Sequence, residues 1–162
     1  MYLLTEDESK GYFKNLKISD SLTDYKNLCM ENDKEISIPY PKVQNMNQLS
    51  NVLVDSARYS EWHLLLLTSW WIFPSSEDAN LYYSFQKYHG GTKPYYEMPG
   101  HLFMNHEIKE LATLITICCA NLYDAIVISQ LNISRIHLSH DEFVDVYTKE
   151  NSIIEDLKKY HD

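Results

Sequence analysis

Residues 135–147 read RIHLSHDEFVDVY and set two histidines, His137 and His140, among three carboxylates, Asp141, Glu142 and Asp145. Imidazoles and carboxylates at such spacing can hold a divalent metal or work as an acid/base pair, provided that they converge on one point. Convergence would need His137 on the exposed side of a strand and His140 just beyond a bend, with Asp141 beside them. The same letters fit a structural role. Ser139 followed three residues later by Glu142 is the capping-box spacing, and acidic residues in a first helical turn are favoured by the positive end of the helix dipole. On that reading a strand runs into a capped helix whose apolar stripe is Phe143, Val144 and Tyr147.

A second cluster, HLFMNHEIKE at residues 101–110, offers His101, His106, Glu107 and Glu110. Its spacing is not the H-E-x-x-H that sets two imidazoles and a base around zinc on one helix face. A small metal-dependent hydrolytic enzyme would draw on His137, His140, Asp141 and Glu142, or on His101, His106 and Glu110. Other chemistry is not written in the chain. There is no G-x-S-x-G elbow, and four glycines leave neither a Walker loop nor a dinucleotide fingerprint. Cys29, Cys118 and Cys119 lack zinc-type spacing and read as reduced core thiols. The expectation is a protein that is not an enzyme and uses no cofactor and no metal.

The elements that would position these residues follow from periodicity. SDSLTDYKNLCMEND reads as a short helix with Leu22, Tyr25 and Leu28 on one side, and ISIPYPKVQN as an extended connector, because Pro39 and Pro41 forbid helix. Residues 1–45 therefore read as a peripheral helix and connector attached to a core of residues 46–162. From Asn47, Leu49, Val52, Leu53 and Ala57 recur at helical spacing. EWHLLLLTSWWIF reads as a buried strand stopped at Pro74, and SSEDANLYYSFQKYHGG as a helix opened by Ser and acidic residues and ended by Gly90 and Gly91. GTKPYYEMPGHLF is a Pro/Gly-rich surface loop. NHEIKELATLITICCANLY is the clearest helix, capped by Asn105, and DAIVISQLNISRIHL reads as two strands joined at residues 130–132, the second half exposed. Together these predict a single α+β domain, a small mostly antiparallel sheet packed with several helices. There is no internal repeat.

Charge narrows the partners. The formal net charge is −9, with 7 basic against 12 acidic residues in 1–80 and 7 against 11 in 81–162, so the acidity is spread over the surface and is not a tail. Such a surface repels nucleic acid and anionic membranes and suits a basic protein. The N-terminal MYLLTEDESK lacks the pattern of a signal peptide, and no apolar run approaches a membrane span, which predicts a cytoplasmic protein. Tyrosine beside carboxylate is a composition that interfaces use: the ring supplies area at low entropic cost and the carboxylate supplies charge specificity. Glu77, Asp78, Tyr95, Tyr96, Glu97, Asp141, Glu142 and Asp145 are the partner-binding candidates on this ground.

The segments WWIFPSSEDANLYY, EMPGHLF and LYDAIVISQLNISRIHLSHDEFVDVY, within the C-terminal two thirds, resemble those of immunity proteins of bacterial contact-dependent growth inhibition and related polymorphic toxin systems. The resemblance implies an inhibitor that binds the C-terminal effector domain of a cognate toxin, commonly a basic nuclease, and blocks its active site. It transfers no residue roles. A regulatory or adaptor module that binds another protein is the remaining alternative.

Overall fold

The structure, a computed structural model, describes residues 1–18, 28–55, 59–69, 77–93 and 95–160. Among these residues the chain forms one seven-stranded antiparallel sheet, in the order β1-β4-β3-β5-β6-β7-β2, and five α-helices, which is the α+β class expected. The strands are β1 (Tyr2–Leu4), β2 (Lys34–Pro39), β3 (Trp62–Ser69), β4 (Gly100–Met104), β5 (Asp124–Ser129), β6 (Ser134–Ser139) and β7 (Phe143–Thr148). The apolar run LLLL in β3 is explained by its central place. Leu65 and Leu67 face one layer of cover and Leu64 and Leu66 the other, and all four are buried. A strand covered on both faces needs no polar alternation.

On one face lie α2 (Val43–Asp55), α3 (Glu77–Tyr88), α4 (Ile108–Ala120) and α5 (Asn151–Lys158). Leu49 and Leu53 of α2 and Leu111 and Ile115 of α4 meet Phe103, Val127, Ile136, Leu138 and Val144 of the sheet in a closed core. Truncating any one of these leucines to alanine should cost about 2–5 kcal/mol. Helix α2 starts at Val43, four residues before the expected Asn47, while Ala57 lies outside the described residues. Asn105 does not cap α4. Residues Asn105–Glu107 form a 3₁₀ turn ahead of the helix, where the Glu107 carboxylate accepts the Met104 N–H at 2.9 Å. Cys118 and Cys119 are buried as expected, and burial pushes the Cys119 thiol up to about 11, which keeps it protonated and unreactive. Cys29 is exposed, against its assignment to the core. No described helix is long and apolar enough to cross a membrane.

The first 45 residues are not peripheral. Strands β1 and β2 form the two edges of the sheet, and α1 (Glu6–Asn15) packs on the face opposite the other helices. Its start is a capping box: Glu8 N–H donates to Thr5 Oγ1 at 3.3 Å and Thr5 N–H to Glu8 Oε2 at 2.7 Å. Phe13 is fully buried there, and Tyr12 meets Trp62 edge-on with ring centroids 4.9 Å apart. The residues read as a connector contain β2, and Pro39 is tolerated as the last residue of an edge strand, where the missing N–H breaks no ladder. The helix expected around Leu22 and Tyr25 falls outside the described residues.

The SHDE stretch also departs from expectation. Residues 140–142 form a hairpin turn, closed by Glu142 N–H to the Ser139 carbonyl at 3.1 Å, with Glu142 in the left-handed region at φ 68°. Phe143–Thr148 is a strand with Val144 and Val146 towards the helices and Asp145 and Tyr147 towards the other face. The period of two defeats the period of 3.6 because β7 is sandwiched between β6 and β2. Strand β6, expected half exposed, is buried throughout.

Candidate functional site

The second face of the sheet is covered from two sides. Helix α1 lies over β1, β4 and β3, and residues 28–33 lie over Arg135 and Tyr147. Arg135 fixes this second cover: its Nε donates to the Leu28 carbonyl at 2.7 Å, one terminal nitrogen to Asn132 Oδ1 at 2.8 Å, and the other pairs with the buried Asp33 carboxylate. Between the covers a groove of about 370 Å³ remains open. Its floor is Leu66, Ile126 and His137, which are register neighbours on β3, β5 and β6. Its rim holds Glu6 from the first turn of α1, Asp124 from the start of β5, and His140 and Asp141 from the β6–β7 turn. A second, shallower depression of about 300 Å³ shares Glu6 and adds Asp7, Lys93, Tyr96 and Glu97. The two adjoining depressions thus carry five carboxylates and one lysine.

Two histidine–carboxylate pairs organise the groove. Asp124 accepts the His140 backbone N–H at 2.7 Å, and His140 Nδ1 lies 2.8 Å from each of its carboxylate oxygens. The hydrogen bond to Asp124, then its charge, raises the His140 pKa above the ordinary histidine value. Deeper on the sheet, His137 Nδ1 lies 3.1 Å from Asp145 Oδ2, and Ser37 Oγ donates to Asp145 Oδ1 at 2.6 Å, so that three neighbouring strands are tied in one row. Burial alone would raise the Asp145 carboxyl, but the bonds from His137 and Ser37 outweigh it and hold the carboxyl below its ordinary value.

Of the candidates read from sequence, Tyr96, Glu97 and Asp141 come to the adjoining depressions, and Glu142 is exposed in the turn beside Asp141. Tyr95 opens the 3₁₀ turn Tyr95–Glu97. Asp145 is largely enclosed in the His137–Ser37 row, which makes it a cross-strand tie. Glu77 and Asp78 begin α3, in the helical layer on the other side of the sheet. Glu6, Asp7 and Asp124 were missed. The Thr5-x-x-Glu8 box marks a first turn at Glu6 and Asp7, whereas Asp124 carries no local signal beyond preceding a strand.

The metal-type clusters are divided among separate duties. His137 and His140 line one groove, each committed to its own aspartate. His101 is fully buried, in contact with the Tyr82 hydroxyl through Nε2 and with the Pro99 carbonyl through Nδ1 at 3.0 Å, while His106 and Glu110 are exposed. Desolvation lowers the His101 pKa to about 4, so the ring is neutral, with Nδ1–H donating to Pro99 and Nε2 accepting from Tyr82. Among the described residues no group of three His, Cys, Asp or Glu side chains is placed to hold a metal ion. Comparison with protein-family models, with curated proteins and with solved structures yields no match.

Proposed function

We propose that this chain is an immunity-type inhibitor that binds the basic effector domain of a cognate toxin and covers its active site, a domain whose most common activity in such systems is that of a nuclease. The observation that supports it is the pair of adjoining depressions, lined by Glu6, Asp7, Glu97, Asp124 and Asp141 together with Tyr96. A nuclease site is basic because it must hold phosphates, and a surface of clustered carboxylates competes for the same cations. The exposed Tyr96 ring adds contact area to the charge.

The test is co-expression with the toxin C-terminal domain encoded beside this gene, followed by growth and pull-down. Rescue of growth with a complex that weakens as salt rises is the expected result. A toxic neighbour that is neither bound nor neutralised would overturn the proposal and favour an adaptor that serves another protein.

A further inference from the structure

We propose that one water molecule is an integral part of the core, held between His63 Nε2 and Ser129 Oγ where α2 and α4 cover the sheet.

His63 and Ser129 are register partners on β3 and β5. Side chains alternate along a strand, so both point with Leu65 and Val127 into the helical layer, away from Leu64 and Ile128. The two residues are 1% and 2% exposed. Among the described residues neither His63 Nε2 nor Ser129 Oγ has a hydrogen-bond partner, and they do not bond to one another. Buried polar atoms in folded proteins are paired as a rule, with protein or with ordered water. Two unmatched atoms on neighbouring strands, in one layer, point to a third group that both share.

The space for that group is a cavity of about 10 Å³, where His63 and Ser129 meet Ser134 of β6, Leu53 and Val54 of α2 and Leu111 of α4. This is room for one water and for nothing larger. None of these six residues is more than 5% exposed, so a molecule held there is cut off from bulk solvent. Water also fits the chemistry. The His63 ring is neutral, because burial lowers its pKa to about 4, and so needs no counter-charge. A molecule that donates and accepts can serve the ring nitrogen in either tautomer and a hydroxyl at the same time. Ser134, whose hydroxyl oxygen has two acceptor sites, offers a third contact. The next pairs on this face, Leu65 with Val127 and Leu67 with Ala125, are apolar and call for no such bridge.

The experiment is a crystal structure of the intact chain at atomic resolution, joined to ¹⁷O relaxation dispersion in solution, which counts waters held for longer than the protein tumbles and ignores exchanging hydroxyl protons. Density for one water within hydrogen-bond reach of both His63 Nε2 and Ser129 Oγ is expected. The dispersion should fall by one water in His63→Phe, where the ring remains and the nitrogen is gone. A direct Ser129–His63 hydrogen bond, a dry cavity, or an equal count in folded His63→Phe would each overturn the proposal. Should His63→Phe fail to fold, Ser129→Val, whose added methyl fills the cavity, should show the same loss of one water, and the density in the unaltered chain decides the matter without either variant.

Discussion

Arg135 and Asp33 form an ion pair whose side chains are 2% and 0% exposed, across 102 residues of sequence. The arginine also holds the Leu28 and Asn132 carbonyls, so one side chain fastens residues 28–33 to the middle of the sheet. Asp33→Ala leaves a buried guanidinium with no counter-charge and should destabilise the fold by about 3–5 kcal/mol in chemical denaturation. The paired replacement Arg135→Met with Asp33→Leu should recover much of that loss, because neither charge is then stranded.

Acid should destabilise the protein through its buried histidines. His101 and His63 titrate at about 4 in the fold because burial disfavours their charged forms, against 6.5 for an ordinary histidine. The unfolded chain then binds more protons, so stability falls as pH drops below about 6.5 and levels off only below about 4. For the fully buried His101 the loss amounts to roughly 3 kcal/mol across that window. Melting temperature measured between pH 7 and 4 should decline, and His101→Gln should flatten part of the decline even as it lowers stability at pH 7.

His140 should behave in the opposite sense. Its hydrogen bond to Asp124 raises its pKa, so the pairing is at full strength below the ordinary histidine value and is lost as pH rises through the raised one. In Asp124→Asn the imidazole Cε1–H titration should move down to the ordinary value. Asp141 lies 3.6 Å from His140 Nε2, and Glu6 and His137 line the same groove, so an unchanged midpoint would assign the raise to the neighbouring carboxylates in place of Asp124.

Asp141 and Asp145 stand four residues apart and should separate binding from folding. Asp141→Lys changes an exposed rim charge and is expected to weaken a basic partner and reduce the salt dependence of binding, with little effect on melting. Asp145→Ala removes the acceptor shared by His137 and Ser37 and should cost about 1–3 kcal/mol of stability. Denaturation and partner titration on the same two variants check the contrast.

Glu142 sits at φ 68° in the β6–β7 turn, where a side chain brings strain that glycine does not. Glu142→Gly should therefore raise stability by about 0.5–1 kcal/mol, or leave it level if the more flexible unfolded chain offsets the gain. A loss of stability would show that the Glu142 side chain has a structural contact of its own.

Periodicity made much of the sheet and helical layer legible. The buried β3 run, the β5 and β6 pair and helices α2 and α4 follow from apolar spacing, because each packs a broad face against the core, whereas α3 is legible from the Ser and acidic residues ahead of it and the glycines that end it. What was illegible depended on pairing over long distances. The spacing [S/T]-x-x-E caps a helix at Thr5–Glu8 and closes a hairpin at Ser139–Glu142; pairing with β6 on one side and with β2, more than a hundred residues earlier, on the other makes residues 143–148 a strand. The site has the same character. Asp124 and His140 gain meaning from register, and Glu6 from the docking of α1. By contrast, Ile153, Ile154 and Leu157 in α5 were a local signal that went unread.

Strand order carries a consequence for how the chain is made. Among the described residues the strand at one border, Lys34–Pro39, pairs only with Phe143–Thr148, and the strand at the other border pairs with Gly100–Met104. During synthesis the early segments must wait for partners that leave the ribosome much later, so the ladder is completed only after residues 143–148 have emerged. Until then a nascent chain displays unpaired backbone and the apolar β3 run, a state that favours delayed, chaperone-sensitive maturation.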